Sequence, residues 1–160
     1  MIAQFKVLLK VKQLREDKAL RELQKKRSEV RAAEEKITTL TAEVAESKRM
    51  LPIREAELYD TILNQVVGLV DVDGVKERVH GLLQDHQLIV DRLDRARHVL
   101  KRLEEELVAV KAAYQKALRE KDKFTMMTEE LEAEAAAEAT AKEETEIEDL
   151  FSKSRTMVAS

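Results

Sequence analysis

The sequence predicts an all-α fold, a long two-helix antiparallel coiled-coil hairpin. Three observations carry that reading. The composition is dominated by Ala, Glu, Lys, Leu and Arg, as in coiled coils and long helices. Apolar residues recur in steps of three and four along two long stretches. Between those stretches lies a short β-branched segment with two of the three glycines. A thick globule needs many turns, and turns use Gly, Pro and Asn. With 3 Gly and 1 Pro in 160 residues, the apolar side chains have a seam to be buried in, not a ball.

Helix one is expected over about 3–65. Leu23, Val30, Ile37, Val44 and Leu51 recur every seven residues, with Ala33 and Leu40 at companion positions and Lys26 and Ser47 as polar interruptions. Pro52 removes a helical hydrogen bond and predicts a break or kink near that residue, with Ile53–Gln65 restarting behind it. The turn is expected over about 66–74, Val66 to Gly74, where Asp71 or Asp73 can cap the next helix. Helix two is expected over about 75–149. Its seam runs from Val75 and Val79 through Leu93, Leu100, Leu107 and Phe124 to Leu131, interrupted by His86, Lys121 and Thr128. The chain is thus expected to form one hairpin domain over 1–150, with a flexible tail over 151–160.

In an antiparallel pair, facing position numbers have a constant sum. A sum of 140 pairs Leu51 with Ile89, Val44 with Ala96, Ile37 with Leu103 and Leu40 with Leu100, all seam positions. A shift by one heptad preserves the pattern. Charge supports the antiparallel arrangement. Met1–Arg31 has 10 basic and 4 acidic residues, and Glu129–Leu150 has 10 acidic and 1 basic. Folding back lays opposite signs partly side by side, which favours orientation more than stability.

Candidate chemistry is sparse. Asp71-Val72-Asp73-Gly74 has the start of a calcium loop, but position 82 is Leu where a bidentate Glu is needed, so the reading is a turn and cap. His80, His86 and His98 have no ligand partners at metal spacing; His86 reads as a polar seam residue. Gly68, Gly74 and Gly81 do not form a phosphate loop. A two-helix rod lacks the enclosed site that catalysis needs, so no enzyme activity and no cofactor are expected. The run Lys25-Lys26-Arg27 reads as a solvated face, and no nucleic-acid partner is expected from a net charge of −3. No run approaches a membrane span and Lys6, Lys10 and Lys12 interrupt the N-terminal apolar residues, so a soluble cytoplasmic protein without membrane insertion is expected. Leu69, Val70 and Val72 at the reversal either fold back or form a small docking patch.

Two stretches carry a family resemblance. The opening Leu8-Leu9-Lys10-Val11-Lys12-Gln13-Leu14-Arg15-Glu16-Asp17-Lys18-Ala19 resembles the start of the YscO proteins of bacterial type III secretion. Arg54-Glu55-Ala56-Glu57-Leu58-Tyr59 is similar to that family's middle segment, and Glu120 to Phe124 with the acidic tail also fits. The resemblance implies a cytoplasmic two-helix stalk at the base of the injectisome, like the flagellar FliJ proteins. Its implied partners are the hexameric export ATPase, the export gate protein and translocator chaperones. Helix two, at ~1.5 Å per residue over about 70 residues, reaches ~100 Å. In the family orientation the ATPase-contact candidates are Arg15, Arg21, Lys25, Lys26, Arg119 and Lys123. The export-gate tip candidates are Leu69, Val70 and Val72. The competing readings are a prefoldin-like holdase, which needs a β-strand platform, and a dimeric coiled-coil scaffold. A stalk is expected to be a monomer.

Overall fold

The computed structural model describes the backbone of residues 1–159 and the side chains of residues 1–157. Two α-helices account for nearly all of it, α1 (Ile2–Asp60) and α2 (Leu69–Ala159), and no strand occurs among the described residues. The fold is the all-α helical hairpin that the seam pattern predicts. Propensity favours both helices, since Ala, Leu, Glu, Lys, Arg and Gln dominate them. Threonines inside the helices return their hydroxyls to the carbonyl four residues back, as Thr38 does to Glu34 and Thr125 to Lys121.

Several boundaries differ from those expected. Pro52 lies inside α1, which continues to Asp60 without a break. A proline in a helix interior costs about 3 kcal/mol. Here Met50 and Leu51 before it, and Leu58 and Tyr59 after it, are half-buried, so side-chain burial on both sides holds the helix together.

The reversal occupies residues 61–68, not 66–74. Amides of Thr61, Ile62 and Leu63 still reach the carbonyls of Leu58 and Tyr59. Asn64 then adopts a left-handed conformation at φ 59°, a backbone state that asparagine tolerates better than most residues and that ends helices.

Helix α2 starts six residues before the expected position 75, for an identifiable reason. The Gly68 carbonyl accepts the amides of Asp71 and Val72, and the Asp71 carboxylate accepts the Gly68 amide at 3.2 Å. That reciprocal cap starts the helix ahead of the β-branched residues. Asp71 therefore caps from the third helical position. Helix α2 also runs on to Ala159, where a flexible tail was expected from residue 151. Residues 151–159 contain no Gly or Pro, and the Thr156 hydroxyl bonds the Ser152 carbonyl at 2.8 Å. Of the expected tail, only Ser160 lies outside the described residues.

By its internal contacts the chain divides into two units where one domain was expected. Unit 1 is Met1–Glu22 with Val110–Ser160, and unit 2 is Leu23–Ala109.

In unit 2, Leu40, Leu93 and Ala96 form the core, with Ile37 and Val44 packed against them. Two polar links cross the same seam. The Ser47 hydroxyl and His86 Nδ1 lie 2.8 Å apart, and Lys26 Nζ donates to Glu106 at 2.7 Å. The position numbers of Leu40 and Leu93, and of Ser47 and His86, add to 133; those of Lys26 and Glu106 add to 132. The expected sum of 140 is thus corrected by one heptad. The earlier reversal moves the pairing in that direction. The polar residues favour it too, because a sum of 140 places Ser47 against Leu93 and His86 against Arg54.

In unit 1, the rings of Phe5 and Phe124 lie 6.2 Å apart between centroids. Lys12 sits 5.2 Å from the Phe124 centroid and bonds Glu120 at 3.1 Å, while Lys6 pairs with Glu132 at 3.3 Å. Phe124 therefore meets Phe5, not Glu16 as a sum of 140 required. Buried Thr128 is satisfied by the Phe124 carbonyl at 2.7 Å, which explains how the seam admits it. From Ala136 to Met157 every side chain is exposed.

Candidate interaction surfaces

The reversal of unit 2 gathers apolar residues that the hairpin does not cover. Leu69 is 82% exposed and Val70 84%. Val72 is half-buried, so of the three tip candidates two are uncovered and one packs back. Leu63 and Val66 are also exposed, and they were not singled out from the sequence. Their signal was the spacing: 63, 66 and 69–70 continue a three-residue apolar step across the reversal. A concavity at the reversal is lined by Ile62, Val66, Val67, Val70 and Val75 together with the polar Thr61, Gln65, Asp71 and Arg78. Apolar side chains at the end of a hairpin have no third element to cover them, and such patches mark docking surfaces.

The basic candidates fall in both units. In unit 2, Lys25 is exposed, while Lys26 is engaged inside the hairpin. Its bond to Glu106, then that to Glu29 at 2.8 Å, holds its pKa above the ordinary lysine value. The same bond from Lys26 lowers the Glu29 pKa. Lys26 thus serves the seam. In unit 1, Arg15, Arg21, Arg119 and Lys123 are all exposed. None of the four has a carboxylate within ion-pair distance among the described residues. Arg15 lies near enough to Glu120 to add to the lowering of its pKa, which comes first from the Lys12 bond.

The residues weighed for metal or catalytic chemistry are occupied otherwise or dispersed. Asp71 caps α2, His86 meets Ser47, and His80 and His98 are exposed. No group of three or more His, Cys, Asp or Glu side chains could hold a metal ion among the described residues. Among the described residues, no helix is long and apolar enough to cross a membrane. What the arrangement offers is two kinds of surface for other macromolecules: a small apolar end and sets of uncommitted cations.

Comparison with known proteins agrees with the helical-hairpin fold. The chain is similar in structure to the crystal structure of type III secretion protein YscO from Vibrio parahaemolyticus. The TM-score is 0.83 at 20% sequence identity, covering 92% of this chain and 93% of that one. None of the curated proteins matches it. Residues 5–153 match the family described as type III secretion protein YscO. With nearly its whole length matched, and the helical hairpin shared, the chain belongs to the YscO family of type III secretion proteins.

Proposed function

We propose that this chain is a stalk and escort component at the cytoplasmic base of a bacterial type III secretion system. In this reading Arg15, Arg21, Lys25, Arg119 and Lys123 contact the export ATPase. The reversal, with Leu69, Val70, Leu63 and Val66, contacts the export gate protein. The same chain hands over translocator chaperones. It takes part in no catalytic step and acts by being held between partners.

The observation that carries the proposal is the uncovered apolar end, Leu69 and Val70 at 82% and 84% exposure, on a hairpin of a secretion family. Exposing two large apolar residues to water has no benefit for the isolated hairpin, whereas a partner surface would bury them at about 25 cal/mol per Å². The dimeric-scaffold reading is disfavoured because the two stripes meet within one chain in unit 2, Leu40 on Leu93 and Ala96. The holdase reading lacks its platform, since no strand occurs among the described residues.

Two purified pull-downs test the proposal. With the export ATPase as bait, the wild-type chain binds and Arg15→Glu with Arg21→Glu does not. With the soluble part of the export gate protein as bait, Leu69→Ser with Val70→Ser abolishes capture while leaving helicity unchanged. Undiminished binding by either variant overturns the corresponding contact. Light scattering is expected to give a monomer near 18.3 kDa.

A further inference from the structure

Unit 2 carries another surface feature on the flank of the hairpin, a shallow groove that reaches down to the core residues Leu40 and Ala96, with half-buried Ala33 and exposed Val99 beside them. Ala33 and Leu40 of α1 with Ala96 and Val99 of α2 form the floor of a groove of about 360 Å³. Lys36, Arg92 and Arg95 form its rim. The spacing explains the geometry. Residues 33, 36 and 40 lie on one face of α1, and 92, 95, 96 and 99 on one face of α2. The groove therefore runs along the helices for about two turns, ~10 Å. Ala33 and Ala96 make the depression, because their side chains stop at Cβ where other seam positions carry leucine or valine.

The rim is as distinctive as the floor. Lys36, Arg92 and Arg95 are exposed, and none has a carboxylate within ion-pair distance among the described residues. Arg95 only rests its Nε on the Asp91 carbonyl at 3.4 Å, and the Asp91 carboxylate is taken by Gln87. Cations near the groove behave differently: Arg97 lies by Asp94 at 3.9 Å and Arg102 by Glu106 at 3.7 Å. Three uncommitted cations flank an apolar floor, with no anion lining it.

We propose that this groove docks an acidic amphipathic helix of a partner protein, laid along the hairpin as a third helix. An apolar stripe at i, i+3 or i+4, and i+7 spans the floor, and carboxylates on its shoulders meet Lys36, Arg92 and Arg95. Arginines favour carboxylates because the planar guanidinium can offer two parallel donors. A nucleic-acid strand fits less well, since the floor has no aromatic ring for a base to stack on. This inference does not rest on the stalk reading, and its test uses neither the ATPase nor the gate.

The test is fluorescence anisotropy with the full-length chain and a labelled synthetic helix of 18 residues, Leu at the stripe positions and Glu elsewhere. A scrambled peptide and one with Lys for Glu are the controls. Saturable binding is expected for the Glu helix alone, weakening as salt rises. Lys36→Glu with Arg95→Glu is expected to weaken it by about tenfold, as two rim pairs of modest strength imply. The Lys helix is expected to bind the chain carrying Lys36→Glu, Arg92→Glu and Arg95→Glu. These positions are exposed, so circular dichroism should show the variants folded. Absence of saturable binding, equal binding of the scrambled peptide, or indifference to the charge reversals overturns the proposal. So does a dimer in light scattering that the double reversal dissolves, because a second copy would then be the occupant.

Discussion

The pairing of Ser47 with His86 makes the sharpest prediction about this hairpin. Two registers, with sums of 133 and 140, both match apolar seam positions, and the structure adopts the first. In the second, Ser47 faces Leu93 and His86 faces Arg54, so the 2.8 Å bond is lost and both polar groups sit in a half-buried seam without it. An unsatisfied buried polar group costs about 1–3 kcal/mol. Halved for partial exposure and counted twice, the penalty is about 2 kcal/mol, which holds the shifted register to roughly one molecule in thirty. Replacing both residues, Ser47→Ala with His86→Leu, removes the penalty.

The chain has no cysteine, so engineered pairs read the register directly. Leu40→Cys with Leu93→Cys reports the observed pairing, and Leu40→Cys with Leu100→Cys the shifted one. With a short bifunctional maleimide, only the first pair should cross-link in the wild-type background. In the Ser47→Ala, His86→Leu background the second pair should cross-link as well. A Leu40–Leu100 cross-link of equal yield in both backgrounds would refute the argument that this polar pair selects the register.

Three further outcomes follow from the geometry. Pro52→Ala should stabilise the chain by about 1–3 kcal/mol in urea unfolding, because it restores a hydrogen bond within a helix that is already continuous. Bonds from Lys12, Lys26 and Arg49 hold the carboxyls of Glu120, Glu29 and Glu46 below their ordinary pKa. A carboxyl depressed in the folded state favours folding at neutral pH, and that contribution is lost as pH falls through the ordinary carboxylate range to the lower folded value. Thermal melts should therefore drop with acidification across that window, and less steeply in Lys12→Ala. Amides of residues 136–156 should exchange with deuterium much faster than those around Leu40 and Leu93, since every side chain on that stretch is exposed.

The helical hairpin was legible because Val75 to Leu131 keeps its three-and-four step over many turns, a pattern that only a helix satisfies. The register was not legible from that pattern, since a heptad repeat is unchanged by a shift of seven. What separates the alternatives is where the chain turns, together with polar pairs such as Ser47 with His86 that meet only in the observed register. The turn was misplaced for a related reason. Gly74 and the β-branched residues around it read as a breaker, while the local devices that end and start the helices, Asn64 and the Gly68–Asp71 cap, lie just upstream. Pro52 reads as a breaker because its cost is local, whereas the burial of Met50, Leu51, Leu58 and Tyr59 on either side of it depends on the packed hairpin. Charge at Arg15, Arg21, Arg119 and Lys123 was visible from composition. That Lys26 is tied up by Glu106, or that Ala33 and Ala96 leave a groove among unpaired cations, depends on side chains brought together across the seam.

Among the described residues, the reversal at 61–68 is the one internal stretch whose backbone lies outside both helices. A single protease nick there would leave two long fragments joined only by noncovalent contacts. Reassembly would then depend on fragment concentration, because the tether that keeps each half at a high local concentration would be gone. Eight residues thus separate a self-sufficient fold from a heterodimer, and the split halves offer a ready complementation reporter for whatever grips the seam.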